Sequence, residues 1–155
     1  MDLHPEEPAV ADWTAVTDAE LTAWFAGRLA RQHPVILVDG RSAGGKTTFA
    51  SRLADLLDGA VIHTDDIAWH EHPVDWSHLL IAGVLEPWAR GEDVDFTPPA
   101  WTARGRAGSV RARDTAKVLV VEGVGAGRAD LAAYADVVVW LQSDRALART
   151  RGIAR

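Results

Sequence analysis

The chain has 155 residues, of which 48% are hydrophobic and 25% are charged. This composition predicts one folded domain with a single sizeable core and excludes an intrinsically disordered chain. The net charge of −6 gives no general attraction for nucleic acid or an anionic membrane, and the lack of cysteine excludes disulfide bonds. Because neither a secretory leader nor a bilayer-length apolar run is present, we expect a cytoplasmic protein without nucleic-acid or membrane partners.

The N-terminal residues 1–16 are acidic and contain prolines, and we expect them to form a flexible arm. One domain, covering residues 17–155, would follow this arm. A capping-box pattern begins at Thr17, and apolar residues at helical spacing come after it. These features predict a first helix over residues 18–31, which Pro34 would terminate.

The next segment combines a buried strand with a glycine-rich loop. The apolar run Val35–Asp39 predicts a strand that is buried on both faces of a parallel sheet. Residues 40–47 then fit the Walker A pattern G-x-x-x-x-G-K-[ST], and a helical pattern follows them. Glycines allow successive backbone N–H groups to wrap a phosphate, and the start of the helix adds a favourable dipole. The segment therefore predicts a phosphate-binding loop.

The chemistry of phosphate binding predicts roles for two side chains of this loop. Lys46 is expected to reach the β- and γ-phosphates of ATP, and the Thr47 hydroxyl to bind Mg²⁺. Lysine is scarce in the chain, since Lys117 is the only other one, which makes the position of Lys46 more informative. We predict ATP and Mg²⁺ as cofactors. The predicted nucleotide-binding residues are Gly40, Arg41, Ser42, Ala43, Gly44, Gly45, Lys46, Thr47 and Thr48.

Strand and helix patterns alternate along the rest of the chain. Apolar runs predict further strands at residues 60–63, 118–123 and 137–141. Helical spacing predicts one helix that ends at Leu57, one that Asp75 caps and that carries residues 79–88, and one around residues 128–135. Prolines, glycines and alternating arginines in residues 94–113 predict a small β-hairpin insertion. This order predicts an α/β fold, a doubly wound parallel sheet of the P-loop NTPase type with helices on both faces.

Acidic residues stand where two of the predicted strands end. Asp65 and Asp66 follow the second strand, and Glu122 lies at the end of the third. Open α/β sheets bind ligands at the carboxyl ends of their strands, so these carboxylates are candidates for chemistry. We predict that Asp65 orients an attacking hydroxyl and that Glu122 and Asp66 lie near Mg²⁺. The alternatives are turn formation by both aspartates and a surface-loop position for Glu122.

The order of these features resembles the small-molecule kinases of the uridine kinase and phosphoribulokinase type, within the P-loop kinases. The resemblance covers residues 35–155 and is carried by Gly40–Thr48, His63–Trp69, Val120–Gly123 and Pro98–Arg106. It implies a P-loop kinase fold, in which the strand-end aspartate receives the proton of the attacking hydroxyl. It also implies that the carboxylate of the Glu-Gly pair sits near Mg²⁺ and the substrate. The family residues that recognise a pyrimidine nucleoside have no counterparts in this hairpin.

The last residues resemble the start of the family's arginine-bearing lid. Arg149, Arg151 and Arg155 recur on a predicted helix and could stabilise phosphate charge, with Arg149 as the catalytic candidate. A solvated helix face is the alternative. The family continues into a fifth strand, which is missing here after Arg155. We therefore expect the apolar edge of the fourth strand to pair with another copy in a homo-oligomer or with a longer polypeptide.

Aromatic and basic residues surround the predicted acceptor region. Trp69, Trp76 and Trp101 could stack on a planar substrate, or they could pack in the core. Arg104 and Arg106 on the insertion could bind an anionic part of the acceptor, or they could solubilise the hairpin.

We expect the chain to transfer a phosphoryl group from ATP to a hydroxyl of a small metabolite, with nucleoside-like compounds among the candidates. Its partners would be a nucleotide and a small-molecule acceptor. One alternative is a nucleotide-binding regulatory ATPase or GTPase, and another is a degenerate nucleotide-binding protein without turnover. Gln142–Asp144 follows the fourth strand where a GTPase would carry Asn-Lys-x-Asp, which argues against GTP.

Overall fold

A four-stranded parallel sheet forms the centre of the computed structural model, which describes residues 2–3, 5–7 and 14–154. The strands of the described chain are β1 (Val35–Gly40), β2 (Ala60–His63), β3 (Val94–Phe96), β4 (Val110–Ala112), β5 (Leu119–Glu122) and β6 (Val137–Leu141). The helices are α1 (Asp18–Ala26), α2 (Lys46–Leu57), α3 (Thr64–Ala68), α4 (Ser77–Leu80), α5 (Glu86–Ala89), α6 (Pro99–Ala103), α7 (Ala129–Ala132) and α8 (Arg145–Ile153). A π-helical turn, Ile81–Leu85, joins α4 to α5.

The strand order of the parallel sheet is β2-β5-β1-β6. The register places Val38 of β1 beside Glu122 of β5, and Glu122 beside His63 of β2. The strand ends that carry polar side chains therefore lie next to each other at one edge of the sheet. β3 and β4 form a separate antiparallel pair. This arrangement confirms the predicted doubly wound P-loop architecture with a small hairpin insertion.

Hydrophobic clusters cover both faces of the sheet. On one face, Phe25 of α1 and Leu53 of α2 pack on Ile36. On the other face, the cluster that contains Leu37 also contains Trp88 and residues of the insertion. All six residues of β1 are buried, as its continuous apolar run predicts, and burying each large aliphatic side chain contributes about 1.5–3 kcal/mol. This two-sided burial fixes the strand that leads into the glycine loop.

α1 is shorter than the predicted helix over residues 18–31. It ends at Ala26, and the backbone N–H groups of Ala30 and Arg31 donate to Oδ1 of Asp136 at 3.0 Å each. The N–H of Val35 donates to the other carboxylate oxygen. A carboxylate that is distant in sequence therefore satisfies donors that a longer helix would have used internally. The predicted helix at 128–135 is also shorter, since α7 covers only Ala129–Ala132.

The helix predicted to follow an Asp75 cap and to carry residues 79–88 starts at Ser77 and is interrupted. Asp75 does not cap it, because α4 begins at Ser77 with Trp76 in the N-cap position and without a side-chain cap. The π-helical turn Ile81–Leu85 lies directly before α5, which contains Pro87. Proline lacks the N–H of an ordinary helical hydrogen bond and collides with the preceding turn. The wider π turn is a register change that accommodates this residue within a continuous helical segment.

The insertion contains a short helix in addition to the two predicted strands. Between β3 and β4 the chain forms the short helix α6, which starts at Pro99 and buries Trp101. A proline suits this position because the first helical residues need no internal N–H donor. The ring of Phe96 lies against the Cα of Gly83 in the π-helical turn, so that the insertion packs directly on the helical layer.

The described residues of the N-terminal segment contact the domain. The backbone N–H of Asp2 donates to Asp144 at 2.8 Å, and the N–H of Arg145 donates to the carbonyl of Asp2. Glu7 pairs with Arg41 of the glycine loop. The rest of the predicted arm, Met1, His4 and residues 8–13, lies outside the described residues. None of the helices in the described chain has the length and apolar character needed to cross a bilayer.

The free edge of the sheet is apolar in the described chain. β6 pairs with β1 only, and Val138 and Trp140 are 47% and 50% exposed. The expected pairing of this edge with another copy or with further polypeptide stays a prediction.

We predict that Gly83→Ala destabilises the protein. A Cβ at this position would lie 2.4 Å from the Phe96 ring, and such overpacking costs about 1–3 kcal/mol, which exceeds the helix-propensity gain of about 1 kcal/mol. Urea denaturation would measure the loss. Gly27→Ala is the matched control, because its Cβ would make ordinary contacts from 3.6 Å. Equal effects of the two substitutions would contradict the packing of the insertion on the π turn.

Candidate functional site

The glycine loop between β1 and α2 has a backbone that other residues could not adopt without strain. Gly40 has a φ of 143°, and a Cβ there would lie 2.3 Å from the carbonyl oxygen of Leu141 in β6. Gly45, the N-cap of α2, has a φ of 94°. The absence of side chains at these positions leaves the backbone amides of the loop open to an anion at the helix start.

The loop lines a cleft at the carboxyl edge of the sheet. Its lining residues are Ser42, Ala43, Gly44, Gly45, Lys46, Thr47, Thr48, Asp65, Glu122, Gly123 and Val124. The cleft has a volume of about 120 Å³, below the roughly 300 Å³ at which pockets for whole small ligands begin. It therefore suits phosphate groups rather than a complete nucleotide. Gly40 and Arg41 belong to the predicted set and lie on the loop, but they do not line this cleft.

Lys46 is the buried cation of the cleft. Only 7% of its surface is exposed, and its Nζ donates to the carbonyl oxygen of Arg41 at 2.7 Å. The contact lies within the loop itself, so the ammonium group is held beside the backbone that would wrap a phosphate. An ammonium group in this position can donate charge-assisted hydrogen bonds to an anion.

One carboxylate oxygen connects three elements of the site. Oε1 of Glu122 accepts a hydrogen bond from Oγ1 of Thr47 at 2.9 Å, and it lies 2.6 Å from Nδ1 of His63. Because an ionised carboxylate can only accept, the imidazole proton must be on Nδ1. Glu122 is 5% exposed, so it is a buried carboxylate and not a residue of a surface loop. This convergence joins the start of α2 to the ends of β2 and β5.

The contact between His63 and Glu122 shifts the pKa of both side chains. The hydrogen bond to Glu122 raises the pKa of His63 above its ordinary value, although burial acts in the opposite direction. Burial alone would raise the pKa of Glu122, but hydrogen bonds from His63 and Thr47 outweigh it, and the pKa lies below its usual range. Glu122 is therefore ionised at neutral pH and can serve as a hard oxygen ligand.

The two adjacent aspartates of α3 point to different neighbours. Asp65 lines the cleft with the glycine loop and Glu122. The Asp66 carboxylate lies 2.6 Å from the guanidinium of Arg106 on the insertion. The structure thus places Asp65 at the cleft, and the roles predicted for Asp65 and Asp66 stay predictions.

The described arginines of α8 lie beside the cleft that the glycine loop lines. Arg149 lines a neighbouring depression together with Arg41 and Arg145. Arg151 lines a separate one that also includes Thr48 and Phe49. Arg155 lies outside the described residues. α8 therefore lies next to the glycine loop, and the catalytic role predicted for Arg149 stays a prediction.

Two of the three tryptophans considered for substrate stacking are in the core. Trp76 and Trp101 are 3% and 5% exposed, respectively. Trp69 is only partly buried, and its ring contacts that of His70. The geometry supports core packing for Trp76 and Trp101, which was the simpler of the two alternatives.

Asp39 and the pairing of His63 with Glu122 are features of the site that the sequence did not reveal. Asp39 is 7% exposed, and it accepts hydrogen bonds from the backbone N–H groups of Gly40, Gly125 and Gly127. It therefore ties the glycine loop to the loop that follows β5. Their positions in the sequence were the only indication of these contacts, since Asp39 immediately precedes the glycine loop and His63 ends a strand. Their partners depend on strand order, which local sequence does not contain.

The oxygen atoms in the cleft fit a magnesium ion. Mg²⁺ prefers hard oxygen ligands and is usually held by one or two protein groups together with substrate phosphates and water. The Thr47 hydroxyl and the Glu122 carboxylate are such groups, and they lie 2.9 Å apart. In the described part of the chain there is no cluster of three or more carboxylate or histidine ligands. A metal here would therefore depend on the nucleotide for much of its coordination.

We predict that Glu122→Gln lowers the pKa of His63. The substitution keeps a hydrogen-bonding oxygen but removes the negative charge, so the imidazolium loses its stabilising partner. NMR titration of the imidazole resonances in metal-free buffer would measure the shift. Thr47→Val is the control, because it removes only a neutral donor from Glu122. His63 titrating at the same pH in the parent and in Glu122→Gln would contradict the pairing.

The raised pKa of His63 determines how the stability of the protein changes with pH. A raised folded-state pKa contributes stability that is fully present below the unfolded value of about 6.5 and is lost as pH rises through the folded value. The melting-temperature difference between the parent and His63→Asn should therefore shrink as the pH rises through the folded-state pKa of His63. An unchanged difference across that range would contradict the assignment.

Comparison with known proteins identifies the fold. No protein-family model matches the chain. No curated protein matches it either. Among solved structures, a possible uridine kinase from Bacillus stearothermophilus matches with a TM-score of 0.59 and 18% identity, and the match covers 86% of this chain and 84% of that chain. At this identity the likeness concerns the fold alone, and the chain therefore shares the fold of that structure.

Proposed function

We propose that the chain transfers the γ-phosphoryl group of ATP to a hydroxyl of a small metabolite. The observation that carries the proposal is the cleft itself. It brings the glycine loop, the buried Lys46, the Thr47–Glu122 pair and Asp65 to one edge of the sheet. Phosphoryl transfer needs positioned cations, metal ligands and one carboxylate for the attacking hydroxyl, and the residue types of the cleft suit these roles.

The loop and Lys46 would hold the phosphate chain. Backbone N–H groups of the loop would contact an anion at the start of α2, and Lys46 would neutralise charge on the β- and γ-phosphates. The base and ribose would extend into the adjoining depression, lined by Ala43, Gly45, Thr48, Phe49, Arg52 and Arg151. Arg149 would contribute to phosphate charge from the neighbouring surface of α8.

Thr47 and Glu122 would hold Mg²⁺, with Asp66 as the further predicted ligand. The ion supplies charge neutralisation across the phosphates when it is bound. His63 keeps Glu122 ionised and oriented through the 2.6 Å contact with Oε1. It acts on the carboxylate in the way that outer partners orient metal ligands.

Asp65 would orient the acceptor and take its proton. The acceptor oxygen forms a bond to the γ-phosphorus while the bridging bond to the ADP oxygen breaks, and the hydroxyl proton passes to the Asp65 carboxylate. Asp65 is exposed within the cleft, where a hydroxyl could reach it. The products are a phosphate ester and ADP.

The surroundings of Asp65 narrow the choice of acceptor. Arg106, a candidate for binding an anionic acceptor, is paired with Asp66. This pairing favours acceptors without a phosphate of their own. The structural neighbour is described as a possible uridine kinase, so nucleosides and neutral polyols come first among the compounds to test.

Measuring ADP release with and without a panel of hydroxyl compounds tests the proposal. A kinase releases ADP in step with the acceptor that it phosphorylates, whereas a regulatory ATPase releases it without any acceptor. A degenerate binding protein binds ATP without turnover. Acceptor-dependent release supports the proposal, and either of the other patterns contradicts it.

We predict that Lys46→Ala weakens ATP binding or turnover by roughly a hundredfold or more, because it removes the cation that faces the β- and γ-phosphates. Calorimetric titration with a non-hydrolysable ATP analogue and initial-rate assays would measure the loss. Lys117→Ala is the matched control, since the other lysine pairs with Asp58 on the surface. Equal activity of Lys46→Ala and the parent would disprove the phosphate-loop assignment.

We predict that Asp65→Asn lowers acceptor-dependent turnover by about a hundredfold or more while leaving ATP affinity almost unchanged. The amide keeps the size of the side chain but cannot take a proton from the acceptor. Steady-state kinetics with ATP and acceptor varied separately would resolve the two effects. Asp55→Asn on the exposed face of α2 serves as the control. A matching loss of ATP affinity would instead assign Asp65 to the metal.

A further inference from the structure

Two hydrogen bonds from the insertion converge on one residue of α3, Asp66. Its side chain accepts a hydrogen bond from Nη2 of Arg106 at 2.6 Å. Its backbone carbonyl accepts a hydrogen bond from Nε1 of Trp101 at 2.8 Å. Both donors belong to the segment between β3 and β4, and both acceptors belong to the residue after Asp65. We call this group of three residues, Asp66, Trp101 and Arg106, the α3 latch.

The latch is built around an arginine held on three sides. The guanidinium carbon of Arg106 lies 3.5 Å from the centre of the Trp101 ring and 5.2 Å from that of Trp69. Its charge is compensated by Asp66, and both side chains of the pair are only about one-third exposed, at 35% and 32%. A planar guanidinium can stack and donate a directed hydrogen bond simultaneously, which lysine cannot do as well. These contacts are specific to arginine at this position.

α3 is short, and its other anchors are apolar or steric. It is one turn and a half long, covering Thr64–Ala68, and its N-cap residue makes no side-chain capping bond. Ile67 packs in the core with 0% exposure and Thr64 is 1% exposed. The two hydrogen bonds to Asp66 add polar anchors to this apolar packing. Because Asp65 and Asp66 are adjacent, any movement of Asp66 also moves Asp65 in the cleft.

We propose that Arg106 is a positioning residue, which orients Asp65 for the acceptor by locking α3 to the insertion through Asp66 and Trp101. This inference rests on the proposed function, because it assigns Asp65 to the acceptor hydroxyl. Arg106 does not itself touch the reacting atoms. It sets the angle from which Asp65 faces the cleft, and a displacement of about 1 Å at such a group can cost about a hundredfold in rate.

The main test compares Arg106→Met with the parent. Methionine keeps an unbranched, apolar side chain on Trp101 but removes the charge and the hydrogen bond. We expect acceptor-dependent kcat/KM to fall about 10-fold to 100-fold, with the affinity for an ATP analogue within about twofold and an unchanged melting temperature. Arg111→Met is the matched control, because its pair with Asp95 lies on the same insertion but is 70% and 59% exposed. We expect it to behave as the parent does.

A double-variant cycle separates the latch from a general loss of packing. Asp66→Asn and Arg106→Met should each lower acceptor-dependent turnover, and the combined variant should be no worse than the more severe single one. Arg106→Lys should recover part of the activity by restoring the charge pair. Independent, multiplying effects of Asp66→Asn and Arg106→Met on acceptor-dependent turnover would overturn the proposal, as would equal losses of ATP affinity and turnover in Arg106→Met.

Hydrogen exchange tests the latch without any acceptor. Peptides that cover α3 and α6 should exchange about tenfold faster in Arg106→Met than in the parent, while those from β1 and β5 stay unchanged. If no hydroxyl compound stimulates ADP release by the parent, the proposed function fails. The hydrogen-exchange rates of α3 in the parent and in Arg106→Met still test the latch in that case. Parent-like exchange in Arg106→Met would overturn the latch even where the kinase activity is demonstrated.

Discussion

The site depends on a buried carboxylate at the end of β5. Glu122 loses nearly all of its hydration on folding, and such burial is tolerated only where donors replace the lost water. Thr47 and His63 provide them, one from the helix after the glycine loop and one from the neighbouring strand. Each donor is in place because β5 lies between β1 and β2 in the sheet. Strand order, rather than the glycine loop alone, therefore creates the place where a metal and a phosphate could meet.

Several features governed by local sequence were predicted correctly. The apolar run of β1, the glycines that follow it and the start of α2 are all encoded within a few residues, and the structure has them as expected. The hairpin insertion also follows from its turn-forming residues. The position of Asp65 at the cleft was predictable because ligands bind at the carboxyl ends of parallel strands.

Features that depend on distant partners were not predictable in the same way. α1 ends early because Asp136, more than a hundred residues away, captures the N–H groups beyond it. The pairing of His63 with Glu122 needed the strand order, and the latch between Asp66 and Arg106 needed the fold of the insertion. The two adjacent aspartates looked equivalent in the sequence. Only their neighbours distinguish them, since one faces the phosphate cleft and the other faces an arginine.

Phosphorus NMR of the reaction products tests the central claim most directly, namely that the cleft delivers a phosphoryl group to a hydroxyl and not to water. The protein would be incubated with Mg²⁺, ATP and a nucleoside or polyol that stimulates turnover. We expect one phosphate-ester resonance to grow in proportion to ADP, with no accumulation of inorganic phosphate. Inorganic phosphate accumulating in proportion to ADP, with no ester resonance, would contradict the account and identify the chain as a hydrolase.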